Sequence, residues 1–200
     1  VNYQCEQFHD IKHYLSVTTG PTEEPVSVDD CKQYLRVDYN DEDSLIANWI
    51  TTAREMVERD SARALLTQTL TLRMDSFPDR TIYLKRLPVQ SVSSVQYVDT
   101  GGTTTTLSSS SYVTDLTTEP ARIQPAYGLI WPFTRYQSNA VTVTFIAGYS
   151  SVATVPEIAK QLIKVMVCHW FQRPESCGSV DEFWSAYWAM IGRLQWSAYA

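Results

Sequence analysis

The chain has 200 residues, 44% of them hydrophobic and 19% charged, with a formal net charge of −6 at neutral pH. That length accommodates one substantial core or two small ones, and the apolar content is too high for a disordered polymer. The acid excess, with no basic stripe to offset it, excludes a protein built to grip nucleic-acid phosphates, and no apolar run is long enough to cross a bilayer.

The opening VNYQCEQFHD lacks a basic start followed by an apolar stretch, so no secretory signal is expected. Residues 1–24 read as a polar lead broken at Gly20-Pro21. A helix is expected from Ser27, with Asp30 three residues on in a capping-box spacing and Val28, Cys31 and Leu35 on its inner face. After an acidic turn a long helix is expected from about Asp43 to Ser61. Leu45, Trp49, Ala53 and Met56, with Ile46, Ile50 and Val57, recur at three- and four-residue steps and lay one apolar stripe. Asp41, Glu42 and Asp43 suit the positive end of its dipole, and Arg59 and Arg63 the negative end.

From Leu66 to Tyr149 the period changes to two. Leu70, Leu72 and Met74 alternate with Thr69, Thr71 and Arg73, and Val141, Val143 and Phe145 alternate with Thr142, Thr144 and Ile146. Prolines 78, 88, 120, 125 and 132 punctuate the strands. Asp99-Thr100-Gly101-Gly102 predicts a hairpin turn, and the polar stretch Thr103–Ser111 reads as a ragged strand or a loop. Pro156 then starts a helix whose broad face carries Ile158, Leu162, Val165, Met166, His169 and Trp170; Pro174 and Gly178 end it. A last amphipathic helix is expected over Asp181–Trp196, with three of the six tryptophans in this tail. The fold class is therefore α+β: a small bundle of about four helices (25–65 and 154–173, with a tail 174–200) and an inserted antiparallel β subdomain (66–150).

The candidates for chemistry are weak. Cys5, His9 and His13 are spaced four apart and would share a helical face, but a structural metal site needs a fourth ligand. Asp38, Asn40 and Glu42 imitate a calcium loop, yet the required glycine is Asp43 and the twelfth position is Trp49, so capping of the long helix is the better account of these acids. Cys168 and His169 point about a hundred degrees apart on a helix, which makes His169 a core residue rather than half of a catalytic pair. Cys5, Cys31, Cys168 and Cys177 form no CxxC pair and read as free thiols in a reducing compartment. No catalytic residue, metal site or cofactor is expected. The aromatic tail carries two readings: packing against the 156–171 helix, or an anchor into a partner, since Trp and Tyr dominate binding hot spots.

Six stretches, in this order, carry a family resemblance. PVSVDDCKQYLRV (25–37) and the helix-to-strand run YLRVDYNDEDSLIANWITTAREMVERDSARALLTQTL (34–70) resemble the opening helices of the head–tail connector (adaptor) proteins of long-tailed double-stranded-DNA phages and gene transfer agents. LPVQSVSSVQYVD (87–99) is similar to that family's central strand pair. EPARI (119–123), VTVTFIAGY (141–149) and VPEIAKQ (155–161) are similar to its later strands and third helix. The likeness spans roughly 25–171 and consists of structural patterns, not a catalytic signature.

The resemblance implies a structural virion protein of the neck, assembled in the host cytoplasm, that forms a ring beneath the portal, typically twelvefold. It implies a portal protein and a downstream neck, stopper or tail protein as partners, with DNA passing through the lumen without specific binding and no membrane involved. It assigns portal contact to the tail, through Phe183, Trp184, Tyr187, Trp188, Ile191, Leu194 and Trp196. Two other readings stand beside it: a different viral neck or tail-completion component, and a metal-dependent enzyme using Cys5, His9 and His13.

Overall fold

The computed structural model describes residues 13–172 and 181–195. Its first element is a strand, β1 (His13–Thr19), which pairs antiparallel with β2 (Gln68–Met74). Seven residues of the polar lead are therefore part of a sheet. Their alternation is masked because β1 lies at the sheet edge, where both faces are largely exposed.

Helix α1 (Val28–Leu35) begins as its sequence predicts: the Ser27 hydroxyl accepts from the Asp30 amide at 3.0 Å, and the Asp30 carboxylate accepts from the Ser27 amide at 3.2 Å. Helix α2 spans Asp43–Ser61, with Ile46, Ile50, Ala53 and Val57 buried and Trp49 and Met56 half-buried. Leu45 is a correction to the predicted stripe. It lies to one side of the buried face set by Ile46, Ile50, Ala53 and Val57, and is 44% exposed although its neighbour Ile46 is fully buried. The capping account of the acidic turn is also corrected. Glu42 occupies the N-cap without a side-chain cap bond, and Asp43 instead accepts from the buried Lys32 ammonium at 2.9 Å, together with Asn40 at 2.5 Å.

Six further strands follow: β3 (Ile82–Leu84), β4 (Val89–Val98), β5 (Thr104–Thr106), β6 (Tyr112–Asp115), β7 (Ala121–Pro125) and β8 (Val141–Ala147). They complete two antiparallel sheets, ordered β1-β2-β8-β4-β5 and β3-β7-β6. The stretch likened to a central strand pair is one long strand, β4, whose register against β8 slips twice, at Val89/Ser91 and Val92/Ser94. Two bulges break the period of two there. The hairpin at Asp99–Gly102 joins β4 to β5 as its residues require: Gly102 has φ +93°, and the Asp99 carboxylate accepts from the Thr103 amide at 2.9 Å. The polar run after it divides into β5 and a 3₁₀ turn at Ser109–Ser111.

Helices α3 (Glu157–Gln172) and α4 (Asp181–Leu194) close the chain. The buried face of α3 is Ala159, Leu162, Ile163, Met166 and Val167, rotated from the predicted one; Ile158, Val165, His169 and Trp170 are half-buried. With apolar residues on most sides, periodicity could not rank the faces.

Side chains sort into two clusters. One holds α1 to α4 with Leu65, Leu66 and Val155; the other holds both sheets with Leu87 and Trp131. They meet where α2 runs into β2. There the buried Glu58 carboxylate accepts from the Leu65 amide (2.7 Å) and the Gln68 amide nitrogen (2.9 Å) through one oxygen and from Arg54 Nη1 (3.1 Å) through the other. Arg86 donates to the Glu58 and Arg63 carbonyls, and Arg54 reaches Glu24 at 2.8 Å. Gly148 closes the same junction. Its φ is +116°, and a Cβ there would run into the Leu66 carbonyl.

Two outcomes test the junction. Gly148→Ala lowers stability by roughly 3 kcal/mol or more, measured by urea unfolding, because strain and backbone collision add. Glu58→Ala costs about 3–5 kcal/mol, since it strands buried cations and donors. Burial raises the Glu58 pKa above its usual value against the opposing pull of the Leu65 amide and Arg54. Its contribution is thus fullest below the unfolded pKa and falls as pH rises through the raised folded value, so Glu58→Gln gains on wild type as pH rises.

Candidate interaction surfaces

Helix α4 is docked on its own chain. Tyr187, Ile191 and Leu194 are buried, and Phe183 and Trp184 are half-buried against the helical cluster. The Phe183 ring stacks on His169 at 4.1 Å. From there Phe183, Trp184, Tyr187 and Trp188 continue edge to face, with centroids 5.1–5.5 Å apart. The Tyr187 hydroxyl donates to the Asp60 carboxylate at 2.8 Å, and its pKa is raised, first by burial and then by that bond. At the far end, Arg63 donates to the Leu194 carbonyl (2.6 Å) and clasps Glu119 (2.8 and 3.2 Å), while Gln195 donates to the Asp60 carbonyl at 2.7 Å.

The structure therefore separates the predicted contact residues. Trp188 is 52% exposed and faces outward. Tyr187, Ile191 and Leu194 form core in this fold, and Trp196 lies outside the described residues.

A second surface escaped the sequence reading. Between β7 and β8 the segment 126–136 reads AYGLIWPFTRY, and Tyr127 and Tyr136 are fully exposed, Ile130 and Phe133 81% exposed. The segment is pinned, not loose. Trp131 is buried, stacks on Phe77 at 4.8 Å and 4°, and donates from Nε1 to the Arg80 carbonyl at 3.2 Å. The Ala126 amide bonds Ser111, and the Arg135 amide bonds Val98. Arg80 and Arg135 lie exposed beside it. The sequence signal is a dense aromatic run without period, punctuated by Pro125 and Pro132.

A third surface is the α1–α2 corner. Tyr39 and Leu45 are exposed among Asp38, Asp41 and Glu42. The Tyr39 hydroxyl is pushed up by desolvation and then by the Glu42, Asp41 and Asp38 carboxylates. One Glu42 oxygen, Oε2, has no hydrogen-bond partner.

Among the described residues no group of three His, Cys, Asp or Glu could hold a metal, and no helix is long and apolar enough to cross a membrane. His13 lies in strand β1, whereas Cys5, His9 and Cys177 lie outside the described residues. Cys31 and Cys168 are free thiols, and burial pushes Cys31 up to about 11. His169 is half-buried against Phe183.

Residues 25–97 match the family model of phage gp6-like head–tail connector proteins. The match runs from just before the Ser27 cap through α1, α2, β2 and β3 to the penultimate residue of β4. A search of curated proteins found no relative. Among solved structures, the chain is similar to a subunit of the neck of an empty gene transfer agent particle computed with C6 symmetry, at 20% identity and TM-score 0.76, covering 92% of this chain and 96% of that one. It is similar to a chain of the virion of a native gene transfer agent particle at 19% identity and TM-score 0.76, covering 92% and 95%. A chain from the native neck computed with C12 symmetry matches at 19% identity and TM-score 0.73, covering 92% and 96%. At these identities the likeness establishes a shared fold.

The anchoring of α4 has a direct check. Tyr187→Phe removes a buried bond to a carboxylate and lowers stability by about 1.5–3 kcal/mol, whereas Trp188→Ala loses a half-exposed ring and its edge contact with Tyr187 and costs about 0.5–1.5 kcal/mol in the same unfolding measurement.

Proposed function

We propose that this chain is a head–tail connector subunit that builds part of the neck of a phage-type particle as a homo-oligomeric ring. The observation that carries this reading is the shared fold with gene transfer agent neck chains over nearly the whole length, with the connector family match lying inside it. The role is assembly, not catalysis. In the particle the protein sits in the virion neck; before that it is in the host cytoplasm.

Ring formation needs one head-to-tail contact repeated until it closes, and twelve copies match the symmetry of the native neck to which the fold is similar. We read the ring as lying beneath the portal and extending the DNA channel, with its other side receiving a downstream neck, stopper or tail protein. An acid excess in the chain suits a lumen through which the duplex slides without adhering. Within the subunit, 25–65 with 154–173 serve as a helical bundle, 66–150 as the β unit set into it with β1 added from the lead, and 174–200 as the arm toward the portal. On that arm Trp188 is the outward anchor, with Phe183 and Trp184 beside it. Tyr187, Ile191, Leu194 and Trp196 join the contact if the arm lifts from its chain.

Electron microscopy of the purified chain mixed with the portal of its own particle tests the reading. Rings seated on the portal are expected, and a chain that stays monomeric with and without portal overturns it. Trp184→Ala combined with Trp188→Ala should weaken portal association at least tenfold in a pull-down while the chain stays folded. Filter binding to random duplex DNA at physiological salt should show negligible affinity.

A further inference from the structure

We infer that the aromatic segment 126–136 of one copy docks on the α1–α2 corner of the next, around Tyr39, Asp41 and Leu45, and that this is the contact which closes the ring. The inference rests on the ring reading above and names its interface.

Three observations carry it. The first is the segment itself. Tyr127, Ile130, Phe133 and Tyr136 project together, and contiguous apolar patches of this kind mark contact surfaces. The Trp131–Phe77 stack and the backbone bonds to Ser111 and Val98 hold the segment in place before any partner arrives, so docking orders little new chain.

The second is charge. Residues 13–65 carry eleven acidic against five basic side chains, while 66–150 carry six basic against five acidic. The exposed cations Arg80 and Arg135 flank the aromatic segment together with the exposed Asp79 and the half-buried Asp75, which leaves it near neutral, whereas Asp38, Asp41 and Glu42 gather about Tyr39 at the corner. Like corners repel one another, whereas a near-neutral segment that presents Arg80 and Arg135 meets the corner without that repulsion, so the charges favour a heterologous contact over a two-fold one through the corner.

The third is placement. The corner lies at the start of α2, whose 19 residues put it ~28 Å from the α2–β2 junction. The aromatic segment lies past the far end of β2, where Asp75 accepts from the Asn139 amide and Phe77 meets Trp131; β2 spans ~23 Å from the same junction. The main packing joins helix to helix and strand to strand, so α2 and β2 are not folded onto each other. The two surfaces belong to different clusters, and a second copy supplies to each what its own chain does not.

The test uses full-length chains on the portal, with wild type as reference. A segment variant, Ile130→Glu with Phe133→Glu, and a corner variant, Tyr39→Arg with Leu45→Arg, each lose ring assembly while their thermal unfolding matches wild type. Mixing the two gives subunit pairs and nothing larger, because only one intact segment then faces one intact corner. Arg135→Glu alone reduces assembly at least tenfold, and adding Asp41→Arg to the same chain restores it. If wild type forms rings and either double variant does so equally well, the interface is overturned while the ring reading stands. Normal rings that fail to recruit the downstream neck protein likewise overturn it, by assigning the segment to that partner. If wild type forms no ring, the functional reading falls and this inference with it.

Discussion

The buried carboxylate of Glu58 is the point on which the two halves of this molecule depend. Helical and sheet clusters are each internally apolar, but they meet across a backbone turn at residues 61–67 that brings polar groups out of water. Glu58 takes donors from Leu65, Gln68 and Arg54, and Arg86 satisfies the Glu58 and Arg63 carbonyls. Burying a carboxylate is expensive, and the raised pKa records that cost. The return is angular. Any other setting of α2 against β2 leaves a donor or a charge unpaired in the interior, so the network holds the two clusters in one relation. Gly148 acts in the same sense by sterics, since only a residue without a Cβ lets β8 pass the Leu66 carbonyl.

Under the proposed ring assembly, a fixed relation between clusters matters for a subunit that repeats one contact. Small angular errors accumulate around a ring, and closure demands that both surfaces of each copy keep their mutual orientation. Arg63 extends the same control to the last helix. It ties the end of α4 to Glu119 on the second sheet's connecting loop, which couples the aromatic arm to the β unit. The outward Trp188 and the projecting segment 126–136 therefore stand on supports that are themselves hydrogen-bonded. Groups held in this way lose little freedom on docking, which suits the contact roles proposed for them.

How much of this was legible in the sequence depended on whether the signal was local. The Ser27–Asp30 cap, the bounds of α2 and the alternation of β2 and β8 are written in residues three, four or two apart, and each appears in the fold where those spacings put it. Leu45 misled because the apolar stripe is broader than the face that is packed: Ile46 beside it is fully buried while Leu45 lies on the flank. The two bulges of β4 were invisible because they are set by the register of β8, fifty or more residues away. Edge strand β1 was hidden for a similar reason: with no buried face of its own, it is specified only by its partner. The aromatic segment was in plain view as a composition, but only Trp131 folding inward shows that the other rings must point out.

Composition and short-range spacing by themselves determined the α+β class, the order of helices and strands, and the absence of any recognisable catalytic motif, because these follow from backbone periods that each segment carries alone. Tertiary structure alone decided which aromatics are core and which are surface. Tyr187 and Trp188 are neighbours in the chain, yet one is sealed over Asp60 and the other faces solvent. Their fates differ because burial belongs to the packing of α4 on α2 and α3, which no window of residues 181–195 contains.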